Sequence, residues 1–180
     1  MFFRSKFFTF GITNHNLFKM KHIYVIIFAI LIGCADTNQS ILKTDDELSS
    51  NIKMLVEKYE NNDFEVSQYY ANDVITRLNN TELNGFETLA AGFKAHHDML
   101  YNNIELKDIY VHTNYFASGE IWSNAWFTWT GTGKTTGKEY SNRGHFDYKW
   151  ENGKIVVVQG YFDEAIEKME IAAYTEAQNK

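Results

Sequence analysis

The sequence predicts an α+β fold, with helices in its first half and an antiparallel sheet in its second. Two observations carry this. Apolar residues recur at helical intervals between Leu48 and Leu100, whereas from Ile104 onward β-branched and aromatic residues dominate with strand-like alternation. That second stretch is punctuated by Ala117-Ser118-Gly119, Thr136-Gly137 and Asn152-Gly153, the turn signals of a strand meander.

The N-terminus reads differently. From Lys21 the chain runs Lys-His-Ile-Tyr-Val-Ile-Ile-Phe-Ala-Ile-Leu-Ile-Gly-Cys, a basic start, an apolar run and a small residue before Cys34. This is the layout of a signal peptide. The run from Ile23 to Ile32 is about half the ~20 residues that span a bilayer as a helix, so it is too short for a permanent anchor. Leu31-Ile32-Gly33-Cys34 resembles the bacterial lipobox, and the resemblance implies a diacylglyceryl group on the Cys34 thiol and cleavage just before it. Residues 1–33 are therefore read as a signal peptide, residues 34–43 as a lipidated polar tether and residues 44–180 as the domain. Met20 is an alternative start, because Met1–Lys19 exceeds what such a signal needs. The expected location is the cell envelope, exported and lipid-anchored. Cys34 is the only cysteine, which excludes a disulfide within the chain.

Charge narrows the partners. The 180 residues hold 17 basic and 23 acidic side chains; Arg4, Lys6, Lys19 and Lys21 lie in residues 1–33, which carry no acid, so the mature chain keeps 13 basic groups and a net charge of −10. Nucleic acid is excluded as a partner, because a phosphate backbone is repelled by such a surface. Aromatic residues make up 16% of the chain and concentrate between Tyr101 and Phe162, where they must wrap a core or a cavity.

Element by element, Thr44-Asp45-Asp46-Glu47 has capping-box spacing, and Leu48, Ile52, Leu55, Val56 and Tyr59 place a first helix that ends near Glu60. After Asn61-Asn62-Asp63, a second short helix is expected over Phe64–Tyr70, then a strand over Val74–Leu78 and a loop over Asn79–Gly85. Phe86, Leu89, Ala90, Phe93, His97 and Leu100 share one face of a third helix. Strands follow at Ile104–Thr113, Glu120–Thr130, Glu139–Trp150 and Lys154–Phe162, all antiparallel, with a closing helix over Glu164–Ala177. Asn152-Gly153 suits a two-residue type I′ hairpin, making the last two strands the firmest pair.

In that order of elements, Tyr70-Ala71-Asn72-Asp73-Val74, Leu83-Asn84-Gly85-Phe86-Glu87-Thr88-Leu89, Thr130-Gly131-Thr132-Gly133, Gly153-Lys154-Ile155-Val156 and Tyr161-Phe162-Asp163 resemble the SnoaL-like branch of the NTF2-like superfamily. The resemblance implies a cone: three N-terminal helices packed on a curved antiparallel sheet, plus a C-terminal helix. It also implies a small apolar or amphipathic ligand in the mouth of the cone, in an isomerase, cyclase, dehydratase or epoxide hydrolase, or in a binder without chemistry. Carried over residue by residue, the ketosteroid-isomerase pattern puts its base near Leu78, its pocket acid near Phe146 and its phenol near Met54 or Leu55. The pocket aspartate of epoxide-hydrolase relatives falls on Gly160. None of these side chains moves a proton or donates to an oxyanion, which argues against both chemistries.

The candidate site residues come from pattern. His96 and His97 lie about 100° apart on the third helix, so one can line a pocket while the other faces away. His97 continues the apolar face and is the candidate general base or ligand donor, with a satisfied core histidine as the alternative. Trp126 and Trp129 share a strand but point to opposite faces, and either can form the pocket wall. Asn142 and Phe146 on the next strand and Phe162 at the end of the last complete the expected ligand-binding set. On Glu139–Trp150, Phe146, Tyr148 and Trp150 alternate inward, and Arg143, His145 and Asp147 outward, where a homodimer contact is expected. The His145/Asp147 pair reads as an acid/base couple or as a surface ion pair. Asp163 is either at the cone mouth or a cap for the last helix.

Gly131-Thr132-Gly133-Lys134-Thr135 has the look of a phosphate loop. It lacks the earlier glycine, which falls on Thr128, and no helix follows. The spacing of histidines and acids matches no metal signature and calls for no cofactor. The expectation is thus a lipid-anchored pocket protein for a small hydrophobic ligand with no assigned catalysis. Its alternatives are a cyclase, isomerase or dehydratase on a small hydrophobic substrate, or a dimeric interaction module.

Overall fold

The computed structural model describes residues 39–180; the signal segment, Met20 and Cys34 lie outside them. The elements are β1 (Ile41–Lys43), α1 (Glu47–Glu60), β2 (Tyr70–Leu78), β3 (Thr81–Asn84), α2 (Phe86–Ala95), β4 (Tyr101–Tyr115), β5 (Ile121–Gly133), β6 (Glu139–Glu151), β7 (Lys154–Tyr161) and α3 (Ala165–Gln178). One sheet of seven strands runs in the order β1-β4-β5-β6-β7-β2-β3. All neighbours are antiparallel except β2 and β7, which pair in parallel. The expected all-antiparallel sheet is corrected to a mixed one, because β2 returns beside a strand that comes much later in the chain.

Helix α1 starts two residues later than the capping box suggests, which would make Thr44 the N-cap. Asp46 is the N-cap and accepts from the Ser49 N–H at 3.2 Å, and the Tyr115 hydroxyl donates to the same carboxylate. It ends where Asn62 turns to φ 55°, and the Asp63 side chain takes the Glu65 N–H at 3.0 Å. The helix expected over Phe64–Tyr70 shrinks to one 3-10 turn, Ser67–Tyr69, and β2 begins at Tyr70 instead of Val74. So short a segment gains few internal hydrogen bonds, and pairing with β7 supplies more.

Three further expectations change in the same way. The loop over Asn79–Gly85 is a tight hairpin carrying β3, with Leu78 opposite Thr81 and Asn79 at φ 48°. Ile41–Lys43, expected as the last part of a polar tether, pairs with the edge of β4 instead. The third helix ends at Ala95 and widens into a π-turn, His96–Leu100. Among the described residues, two α-helices before β4 and a short turn therefore replace the expected three helices.

Strand β4 is 15 residues long and would overshoot the helices if flat. Its pairing with β5 shifts register between Asn102 and Glu105 and between Lys107 and Tyr110, where Asn103 and Asp108 take φ 52° and 54°. These bulges bend the strand. The concave face holds the core, with Ile52, Leu55 and Val56 of α1 against Val111, Ala125, Phe146, Tyr148, Trp150, Ile155 and Val158. The inward set Phe146, Tyr148 and Trp150 is thus as the alternation predicts. A buried chain of hydrogen bonds closes one end of this core: Ser49 to Thr113 (2.8 Å), Thr113 to Ser123 (2.7 Å), and Trp150 Nε1 donating to Ser123 (2.8 Å).

Candidate ligand cavity

Between the concave face, α1, α2 and α3 lies a cavity of about 440 Å³, a size that holds a small organic molecule. Its wall is almost wholly apolar. Leu55 and Phe64 come from α1 and the segment after it, Phe86, Ala90 and Phe93 from α2, Phe127 and Trp129 from β5, and Ile166 and Ile171 from α3. Alternation on β5 sends odd-numbered residues inward, so Trp129 lines the cavity and Trp126 does not.

Leu78, Phe146 and Gly160, the positions singled out by the sequence resemblance, lie together in the structure. A Cβ at Gly160 would come within 2.6 Å of Phe146 Cε1 and 2.9 Å of Leu78 Cδ2. An acid at Gly160 cannot be seated without displacing Phe146. Leu78 and Phe146 themselves line the cavity. Phe146 is held flat by Phe127, 5.6 Å away at 17°, and by Phe162, 6.1 Å away at 8°.

One corner is polar. The Tyr59 hydroxyl lies 3.0 Å from His96 Nδ1 and accepts a hydrogen bond from Trp129 Nε1 at 3.1 Å. On its other side, His96 Nε2 is 3.5 Å from Glu167 Oε1 of α3. Tyr101 packs edge-on against both His96 (6.0 Å) and Trp129 (4.8 Å). Burial pushes the Tyr59 phenol well above its ordinary value, so it stays protonated at neutral pH.

Of the residues expected from sequence, His96, Trp129, Asn142, Phe146 and Phe162 gather around this cavity. Asn142 sits at the rim and binds the chain entering α3, donating to the Asp163 carbonyl (2.8 Å) and accepting from the Asp163 N–H (3.3 Å). His97 and Trp126 do not reach the cavity. The widened turn after Ala95 rotates His96 inward and puts the His97 ring behind it, against Tyr59 (5.2 Å) and Phe64 (6.1 Å). There burial pushes its imidazole below the ordinary value, and Nε2 has no hydrogen-bond partner among the described residues. Trp126 lies on the outer face, stacked on His145 at 4.3 Å and 8° and on His112 at 5.2 Å and 20°. His145 Nε2 lies 2.8 Å from Asp147 Oδ1, but off the hydrogen-bond direction, so the two are in close polar contact on the outer face.

Tyr59 and Glu167 were not among the expected site residues. Tyr59 was legible only as one more member of an apolar helix face; a phenol on such a face needs a partner for its hydroxyl, and that was the available signal. Glu167 gave no signal, since acids on a closing helix are ordinary.

Helix α3 covers the mouth of the cavity with a single fully buried residue, Glu170. Its carboxylate accepts from the Thr135 N–H (2.7 Å), the Thr136 N–H (3.1 Å), the Thr136 hydroxyl (2.7 Å) and the Tyr140 hydroxyl (3.2 Å). The phosphate-loop lookalike thus does cradle an anion, and the anion is the chain's own. Asp163 accepts from the Ala165 N–H at 2.9 Å in the turn that leads into α3, whose N-cap is Glu164 and not Asp163.

No protein-family model and no curated protein matches the sequence. Solved structures do. A provisionally named polyketide cyclase from Xanthomonas campestris pv. campestris is 21% identical, with a TM-score of 0.56 over 70% of this chain and 95% of its own. An NTF2-like protein from Anabaena variabilis is 15% identical, with a TM-score of 0.53 over 64% of this chain and 86% of its own. A provisionally named SnoaL-like polyketide cyclase from Jannaschia is 12% identical, with a TM-score of 0.52 over 69% and 90%. The fold is therefore the NTF2-like, SnoaL-like α+β fold, with three α-helices and a curved mixed sheet among the described residues.

Proposed function

We propose that this domain binds a small apolar or amphipathic molecule in its cone and is held at a membrane of the cell envelope by lipid on Cys34. The cavity of about 440 Å³, mostly apolar, with a polar Tyr59–His96–Trp129 corner and a rim that carries Asn142, Asp163, Glu164 and Lys168, carries the first half of the reading. Such a wall rewards burial of hydrocarbon at roughly 25 cal/mol per Å², while one polar corner orients the ligand. Hydrophobic metabolites should raise the melting temperature and quench tryptophan fluorescence, and Ala90→Trp, which fills the cavity from α2, should weaken binding at least about tenfold. A screen in which no apolar compound shifts the melting temperature speaks against the pocket reading.

The second half rests on the Lys21–Cys34 pattern. The mature protein should partition into detergent and incorporate labelled fatty acid, and Cys34→Ser should abolish both. Unchanged partitioning of Cys34→Ser would falsify the anchor.

A catalytic reading has one observation in its favour. Glu167, His96 and Tyr59 form a line of titratable groups ending in the cavity, the arrangement of an acid/base site on a cyclase or isomerase substrate. Turnover that disappears in both Tyr59→Phe and His96→Gln would establish it.

A further inference from the structure

Three exposed apolar side chains meet at the end of the cone closed by the Ser49–Thr113–Ser123 chain of hydrogen bonds. Ile41 and Leu42 of β1 are each 54% exposed, and Phe116, at the start of the β4–β5 turn, is 42% exposed. Pairing sets them side by side. Ile41 lies opposite Tyr115, Leu42 lies opposite Asn114, and the Ala117 N–H donates to the Ser40 hydroxyl at 3.2 Å. Trp122 joins the group, since it pairs with Asn114 and shares a hollow on the outer face with Phe116. None of the four belongs to the core.

This is also where the chain arrives from Cys34. Only residues 35–40 separate Cys34 from β1, and such a stretch reaches at most about 25 Å when fully extended. The cavity mouth lies farther off. It is covered by α3, which packs against Tyr101, at the other end of the 15-residue strand β4. At about 3.3 Å per residue that strand measures roughly 46 Å, and even a right-angle bend at Lys107 leaves roughly 33 Å between its ends. A lipid on Cys34 therefore cannot hold the cone with its mouth pressed onto the bilayer.

Between the end-on and side-on poses that remain, side-chain chemistry decides. The middle of the outer face carries Arg143, Asp147 and Lys149, which resist leaving water, whereas Ile41, Leu42 and Phe116 gain by it. The charges beside the patch are Asp45, Glu47 and Glu120 against Lys43 and Lys53, and Lys149 is shared by Glu120 and Glu151. Without an excess of cations, the surface that fits carries zwitterionic headgroups.

The geometry points to a second membrane contact, resting on the lipid anchor proposed above: Ile41, Leu42 and Phe116 enter the headgroup region of the bilayer that holds the Cys34 lipid, and the cavity mouth opens toward the aqueous side. Trp122 lies at the depth that tryptophan favours. The lipid holds the domain, and the patch orients it.

The chain from Cys34 onward, whose described fold begins at residue 39, can be coupled through its only cysteine to a maleimide phospholipid in phosphatidylcholine vesicles, with no need of cellular lipidation. Brominated lipid should quench its fluorescence; Trp122→Phe should remove most of that quenching and Trp126→Phe little. Compared with the same chain capped by a soluble maleimide, amide exchange should slow at least about threefold over residues 40–43 and 116–120 and stay unchanged over α3. Leu42→Ser combined with Phe116→Ser should cut the quenching at least about fivefold with the fold intact, and phosphatidylglycerol should weaken it. Absence of quenching overturns the inference, as does quenching carried by Trp126, which means a side-on pose. A soluble conjugate that is dimeric, and becomes monomeric in the double variant, gives the patch to a second copy and overturns it too. Wild-type partitioning of Cys34→Ser in cells sinks the anchor reading instead, whatever the vesicles show.

Discussion

Glu170→Ala is expected to destabilise the domain by about 3 kcal/mol and to release α3 from the cavity mouth. Glu170 is fully buried, yet no apolar residue of α3 is. The helix is held by an anion in a turn, and alanine leaves the Thr135 and Thr136 N–H groups without that acceptor. Burial by itself would push this carboxyl up; the bonds from Thr136, Thr135 and Tyr140 outweigh it, and the net shift is down from the ordinary value of 4.5. A depressed folded value means that the contribution is complete above about pH 4.5 and is lost as pH falls through the folded value. The gap in melting temperature between the wild type and Glu170→Gln should therefore be full at pH 7 and shrink in acid. Amide exchange across Ala165–Gln178 should accelerate in Glu170→Ala while β5 and β6 stay protected. A variant with wild-type urea stability and unchanged exchange would remove the latch. Gly133 is part of the same device, since any Cβ there would collide with the Glu170 carboxylate.

Phe146→Ala is expected to cost about 3–5 kcal/mol, the range for deleting a buried ring, and to enlarge the cavity that Phe146 lines. Phe146 is 8% exposed and stacked between Phe127 and Phe162, with Gly160 giving it room on the side of β7. Removing it leaves four aromatic neighbours, Phe93, Phe127, Tyr148 and Phe162, without their common partner. Urea denaturation measures the loss, and binding of bulkier apolar probes by the variant than by the wild type would show the added space. A loss below about 1 kcal/mol would mean that the wall collapses into the gap.

Periodicity and turn chemistry were enough to place α1, the core of β4 to β7 and the inward face of Phe146, Tyr148 and Trp150, because these depend on local spacing. The same spacing sorted Trp126 from Trp129 but left open which face was the inner one. Position 97 was the natural continuation of the helix face only as long as the helix stayed α-helical. A single widened turn moved that role to His96, and nothing in Ala95-His96-His97-Asp98 announces such a turn.

By itself the sequence determined the class of fold, the strand alternation, the apolar residues at Leu78, Phe146 and Gly160, and an N-terminal pattern that lies outside the described residues. Only the tertiary structure decided that β2 pairs in parallel with β7, that Ile41–Lys43 joins the sheet, and that Tyr59, His96, Trp129 and Glu167 share one corner. The reason is the range of the forces involved. Periodicity and capping act over one or two turns of chain, whereas this corner assembles residues from four separate elements, and only the curvature of the sheet brings them within hydrogen-bonding distance.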